Sequence, residues 1–449
     1  MIMTTGTTGL YDMLSEQRGR GRGPGAGWPA ELREDAMERF LGLGLPSPRQ
    51  EEWKHTNLEA ALGEGLRLPE TAGVRPESDV PFGDLNAARL VFVNGAFRPD
   101  LSDDVPDGIR HTPLAVAIRD RAPGLESRLA CYADYRVHAL AALNTALFTD
   151  GALIEVADGV VPARPVHVVH LAAATGVPVI LSPRTLVVTG RNSRLRLVET
   201  WPRGRPGRRG LDSGGPGACW TNAVTEIVCG ENAAVDHLKF LPEAGNSVHT
   251  ATQVTWQEAA SVFRTLTVTL GGRLVRNDTR SVLAGPGADC ALGGLYLTAG
   301  AQHVDNHTVI DHAAGNTTSR ELYKGILADR SSAVFDGAIV VRKDSQKSAS
   351  SQQNRNLLLS DDAVIHTKPE LRIFADDIRC THGATIGQLD PDALFYLATR
   401  GIDPGAARQI LTHAFVRDLI ESVPVRELAG KCDREVREWL GRHVGAEGA

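Results

Sequence analysis

From about residue 151 the chain alternates apolar and polar positions in short runs: GALIEV, VHVVHLA, RTLVVTG, RLRLVE, NAVTEIVCG and HLKFL. Period-two alternation rich in Val, Leu and Thr predicts strands. Between 271 and 390, turn signals fall at Gly271, Gly285, Gly300, Gly315, Arg330, Ser345, Asp361, Asp376 and Asp390, about 15 residues apart. Each interval encloses β-prone runs such as GGLYLTAG, NHTVIDHAAG and FDGAIVVRKD. A hairpin meander has no need of so even a spacing. A flattened parallel β-helix does, with two units in one coil of roughly 30 residues. Inward side chains of successive rungs, about 4.8 Å apart, then form continuous ladders. A twisted antiparallel sheet is the competing reading of the same runs.

The first 150 residues differ in texture, mixed and mostly helical. After the stretch RGRGRGPGAG, read as flexible, Pro29 opens a helix with Leu32, Met37, Phe40 and Leu41 near helical spacing. A second helical pattern follows Pro48 in SPRQEEWKHTNLEAAL, VFVNGAF (91–97) reads as a strand, and 126–148 returns to a helical pattern. Towards the other end, Asp390-Pro391 and Asp403-Pro404 each set an N-cap residue before a proline at the first helical position. The second of these helices places Ala407, Ile410, Leu411, Ala414, Phe415 and Leu419 on one face, and VRELAGKCDREVREWLGRH supplies a third helix. The expected organisation is a mostly helical N-terminal domain (1–150), a β core (151–389) and a C-terminal helical domain (390–449). A Gly/Arg/Pro-rich segment at 203–217 interrupts the core as a mobile loop. The helical tail could cap the solenoid or hold a partner.

Composition narrows the class. With 449 residues, 42% apolar and only 5% aromatic, the core must be filled by aliphatic side chains. The 48 basic and 54 acidic residues leave a net charge of −6, so no basic field draws nucleic acid. No stretch reaches the roughly 18 apolar residues of a membrane span. The N-terminus shows no apolar segment of a secretory signal, so a cytoplasmic protein is expected. Six well-separated cysteines without a CxxC fit free thiols of a reducing compartment.

Common enzyme signatures are missing. There is no GxxxxGK[ST], GxSxG or HExxH, and the pair Gly430-Lys431 is followed by Cys432, so ATP hydrolysis by this chain is not expected. In DDIRCTHGATIG (376–387), Cys380 and His382 are two residues apart and share a strand face. A thiol beside an imidazole suits a soft metal or an iron–sulfur intermediate, but two ligands cannot close a cluster. A buried cysteine with a hydrogen-bonded histidine is the plainer alternative. His303, His307 and His312 in AQHVDNHTVIDH, with Asp305 among them, could hold zinc or could be turn and surface histidines. Asn306 and Asn316 read as turn or ladder residues, and the pairs Asp361-Asp362 and Asp376-Asp377 as turn caps.

The segment HTKPELRIFADDIRCTHGATIGQLDPDALFYLATRGI (366–402) resembles the SufB/SufD family of iron–sulfur cluster assembly subunits. So do PRQEEWKHTNL (48–58), VNGAFRPDLS (93–102), SRELYKGIL (319–327) and QKSASSQQNRNLLLSDDA (346–363), so the likeness covers nearly the whole chain. HTKPELRIFADD lacks the cluster-building cysteine of the SufB branch, and the likeness is to the SufD branch. The resemblance implies a right-handed parallel β-helix flanked by helical N- and C-terminal domains. It also implies a non-catalytic scaffold that forms a heterodimer with a SufB-like subunit. SufC-like ATPases would dock on the C-terminal helices and carry the ATP hydrolysis. A transient iron–sulfur cluster, or iron, would be shared with the SufB partner at the interface. His382 matches the histidine of the family's CxHGAT motif and Cys380 the cysteine beside it, as metal ligands. Flavin is associated with the whole complex, and no motif here locates it. An open β-helix edge makes a homodimer of the isolated chain a further expectation. Two readings from other classes stand beside this one. A β-helix carbohydrate-active enzyme is disfavoured by the scarcity of aromatics, and a self-contained zinc protein would rest on His303, His307 and His312.

Overall fold

The computed structural model describes residues 5–20, 27–71, 80, 82–173, 177–202, 219–243 and 245–444. The centre of the RGRGRGPGAG stretch and the loop expected at 203–217 lie outside the described residues. The first strands are β1 (Ala88–Val93), β2 (Ala96–Phe97), β3 (Ile109–Pro113), β4 (Ala152–Val156), β5 (Val166–Leu171), β6 (Val179–Leu181), β7 (Arg184–Thr189) and β8 (Arg194–Thr200). Longer strands follow: β9 (Cys219–Cys229), β10 (Ala234–Leu241), β11 (Val248–Gln257), β12 (Val262–Thr269), β13 (Leu274–Leu283) and β14 (Asp289–Thr298). The last are β15 (His303–His312), β16 (Thr318–Leu327), β17 (Ser332–Val341), β18 (Ser348–Leu358), β19 (Val364–Ile373) and β20 (Ile378–Gly387).

One sheet runs β2-β1-β5-β8-β10-β12-β14-β16-β18-β20, and the other β19-β17-β15-β13-β11-β9-β7-β4-β3 with β6 beside β9. From β7 onward each strand crosses to the opposite sheet, and the pairings within both sheets are parallel. The fold is a parallel β-solenoid of about 7 turns. Register partners such as Val248, Leu274, His303, Ser332 and Val364 follow one another at 26 to 32 residues, the coil length that the turn spacing predicts. The parallel register rules out the antiparallel reading. Antiparallel pairing is confined to β1 with β2 and β3 with β4, where the sheets extend into the first 150 residues.

The helices are α1 (Thr5–Arg20), α2 (Trp28–Leu43), α3 (Leu58–Ala61), α4 (Leu114–Arg119), α5 (Ala139–Leu147), α6 (Pro391–Thr399), α7 (Pro404–Glu421) and α8 (Ala429–His443). Two sequence patterns yield less helix than predicted. After Pro48 the chain makes one 3-10 turn at Glu51–Trp53, then Asn57 caps the four-residue α3 by accepting from the Ala60 amide at 3.1 Å. In 126–148 only α5 forms, because the Glu226 carboxylate accepts the Ala130, Tyr132 and Ala133 amides that a helix would use internally. Both Asp-Pro starts hold: Asp390 accepts from the Asp392 amide at 2.9 Å and Asp403 from Ala406 at 3.1 Å.

Between the sheets, Leu195, Leu197, Val235, Phe263, Leu292 and Ile310 fill the solenoid. A second apolar layer joins Val416, Leu419, Ile420, Trp439 and Leu440 of α7 and α8 to Leu238, Phe240, Leu266 and Leu295 on the outer face of one sheet. The helical tail therefore covers a side of the solenoid and leaves its end open. The few interior rings need room from neighbouring rungs: a β-carbon on Gly294 would lie 2.1 Å from Tyr323, and one on Gly325 2.3 Å from Tyr296. Among the described residues, no helix is long and apolar enough to cross a membrane.

Candidate functional site

Strand β20 is the last strand of its sheet and, among the described residues, pairs only with β18. Its register sets Cys380 beside Ser350 and His382 beside Gln352. Ser350 and Gln352 are buried in the solenoid interior, so Cys380 and His382 continue two interior ladders out to the open end. The strand-face argument from spacing is thus met. His382 is exposed, whereas Cys380 is half-buried against Ile339, Val341 and Ala375. That burial raises the thiol's pKa, opposed by a backbone hydrogen bond at Ser350. Nearby, Val364, Ile373, Phe374 and Ile386 expose apolar surface at the same end. Among the described residues no three His, Cys, Asp or Glu side chains gather into a metal-binding group.

Behind the pair the ladders stay polar. Gln352 Nε2 donates to Glu321 Oε2 at 2.6 Å, and burial pushes the Glu321 carboxyl up to about 7. Ser350 and Ser319 share a hydrogen bond of 2.6 Å, and Ser319 meets His312 Nε2 at 3.0 Å. Burial lowers His312 to about 4. Deeper still, Glu199 accepts from Thr185 and Thr225 of the facing sheet and meets His237 Nε2 at 3.1 Å. This polar interior went unread in the sequence. Its one signal is the run SSQQNRN, polar at both parities and so silent on which face points inward.

The histidine trio divides. His303 and His307 lie on the outer face, where His307 Nε2 stands 3.0 Å from Asp305 Oδ1. His312, of opposite parity, lies inside with both ring nitrogens engaged by Thr317 and Ser319. The three therefore do not converge as a zinc site would require. Asn306 joins an interior ladder, accepting from Asn277 Nδ2 at 3.2 Å, and Asn316 takes a left-handed turn conformation at φ 57.

The solenoid thus carries a cysteine and a histidine side by side on a terminal strand. Comparison with known proteins gives this architecture a family. The SufBD protein N-terminal region matches residues 27–168, and the SUF system FeS cluster assembly SufBD core domain matches 170–415. The chain is 32% identical to an iron–sulfur cluster assembly SufBD family protein of Synechocystis, across 89% of this chain and 88% of that one. It is 29% identical to the iron–sulfur cluster assembly protein SufD of Escherichia coli, across 91% of each chain. It is also 33% identical to the chloroplastic protein ABCI7 of Arabidopsis thaliana, across 91% of this chain and 86% of that one. The chain belongs to the SufBD family of iron–sulfur cluster assembly proteins.

Proposed function

We propose that this chain is a non-catalytic scaffold subunit that contributes His382 and Cys380 to a nascent iron–sulfur cluster completed by a SufB-like partner. The carrying observation is the placing of Cys380 and His382 together on a terminal strand, at the end of the solenoid where Val364, Ile373, Phe374 and Ile386 are exposed. Iron and sulfide are cargo here. Neutral His382 would offer a ring lone pair to iron, and Cys380 would bind after its thiol loses a proton. The remaining coordination positions fall to the partner. SufC-like ATPases would engage the C-terminal helices. There, α6 exposes Phe395 and Tyr396 while α7 and α8 bury their apolar faces on the sheet. ATP hydrolysis would take place on that partner, in the cytoplasm.

The test is His382→Ala, co-expressed with the SufB-like and SufC-like subunits and purified anaerobically. The variant should co-purify at wild-type stoichiometry, with cluster iron and sulfide reduced about tenfold or more. Full cluster content would remove His382 from the ligand set. Loss of co-purification would make its role structural.

A further inference from the structure

Residues 50–58 cross the outer face of the sheet holding β13, β15, β17 and β19 as a strap with three anchors. In the first, the Arg276 guanidinium lies over the Trp53 ring, 3.8 Å from its centroid, and Nη1 donates to the Glu52 carbonyl at 2.7 Å. In the second, the Thr56 hydroxyl donates to Asp305 Oδ2 at 2.5 Å. With that proton committed, His303 Nε2–H must donate to Thr56 Oγ1 at 2.8 Å, and the Ser332 hydroxyl donates to His303 Nδ1 at 2.7 Å. The third anchor is a stack. The His55 ring lies on His366 of β19 with centroids 3.7 Å apart and planes 11° from parallel.

Two neutral imidazoles stack favourably, and one proton is tolerated. Both rings are solvent-exposed, so two protons set like charges at contact distance with water screening part of the repulsion. We propose that the His55–His366 stack is a pH-operated latch, holding the strap on the terminal coil until both rings are protonated and then releasing it.

The surroundings add one further group that takes up a proton, His307, which Asp305 raises above the usual histidine range against the cost of burial. Glu51, Glu52 and Lys54 face the pair from the strap, Asp305 and His307 from β15, Asp336 from β17 and Lys368 from β19, all around one cavity of about 420 Å³. Three of the acids have a cation beside them: Lys368 lies 3.6 Å from Asp336 and 3.7 Å from Glu51, and Asp305 is engaged by Arg276 at 2.7 Å. Burial, His55 and Lys54 lower the pKa of His366. The other anchors do not change charge in the same range. Arg276 is held cationic by Asp278 and Asp305, and Asp305 stays anionic through Arg276 and His307, both against the cost of burial. His303 is kept neutral by burial. Glu51, Glu52 and His307 also line the adjoining cleft of about 640 Å³ beside Tyr132, Trp256 and Arg280. The strap lines both spaces.

Within the strap, the Trp53 amide donates to the Gln50 carbonyl and the Thr56 amide to the Trp53 carbonyl, each at 2.9 Å. A strap this short keeps such turns only while docked. Hydrogen exchange of the full-length chain, corrected for intrinsic rates, reads them directly. Between about pH 7.5 and about pH 5.5, exchange across 50–58 should rise about tenfold while the β11–β17 amides stay protected. His366→Phe keeps a ring under His55 but allows only one charge in the stack, so the step should vanish. His55→Phe, made on the strap side, should do the same. Equal protection of the wild-type strap at both pH values, or a step that persists in a correctly folded Phe variant, would overturn the latch.

Discussion

Arg184 and Glu226 form an ion pair with no solvent exposure on either side chain, Nη2 to Oε2 at 2.6 Å. Arg184 Nη1 also donates to Asn144 Oδ1 and Thr145 Oγ1 of α5, while Glu226 accepts three amides from 130–133. The pair fastens the N-terminal segment to β7 and β9. Replacing Arg184 by Met strands a buried carboxylate, and chemical denaturation should show a loss of about 3–5 kcal/mol. The double variant Arg184→Met with Glu226→Gln should lose less than the sum of the two single changes.

Glu321 sets a pH slope on stability. Its carboxyl ionises near the usual 4.5 when unfolded but at about 7 when buried. As pH rises across that window the unfolded chain sheds its proton first, so stability falls with rising pH, by on the order of 3 kcal/mol in all. Buried histidines such as His170 and His312, both lowered to about 4, contribute the opposite slope over an overlapping range. The measurement is therefore a difference: the folding free energy of Glu321→Gln should gain on wild type as pH is raised from about 5 to about 7. A constant difference would refute the assignment.

Gly294 leaves space for Tyr323. With an added β-carbon 2.1 Å from the Tyr323 ring, Gly294→Ala should cost about 1–3 kcal/mol in equilibrium unfolding. Tyr323→Leu made together with Gly294→Ala should recover part of that loss, because the clash has a single partner.

Thiol reactivity should divide the six cysteines. Cys131 is exposed and Cys380 half-buried, whereas burial pushes Cys219, Cys290 and Cys432 up to about 12 and raises Cys229 as well. Native alkylation followed by peptide mass spectrometry should label Cys131 and Cys380 and leave the other four until denaturant is added. A SufB-like partner seated on β20 should protect Cys380 and spare Cys131.

The coil could be read from the sequence because each half-turn ends in a residue suited to a tight turn, as Gly300 and Asp361 do. The shared face of Cys380 and His382 followed from strand geometry, whereas their role came from resemblance. Parity separates His312 from His303 and His307. Local pattern could not supply what long-range packing decides. Glu226 lies 93 residues beyond Ala133 and unwinds a predicted helix. Thr56 meets His303 across 247 residues of chain. Asn354 and Asn356 sit inside because Tyr296 donates to Asn356 and accepts from Asn354 across the rungs, and Gln352 because it donates to Glu321, which no alternation records.

Among the described residues the terminal coil pairs with strands along one edge only, with the 50–58 strap laid across β19. Interior strands of the solenoid lie between two others, but β19 and β20 are held along a single edge each. A strand held along one edge frays at less cost than one held along two. If Cys380 and His382 take a cluster and a second subunit covers them, as proposed, each event would order the same singly paired strand, and whichever came first would leave less disorder for the second to remove.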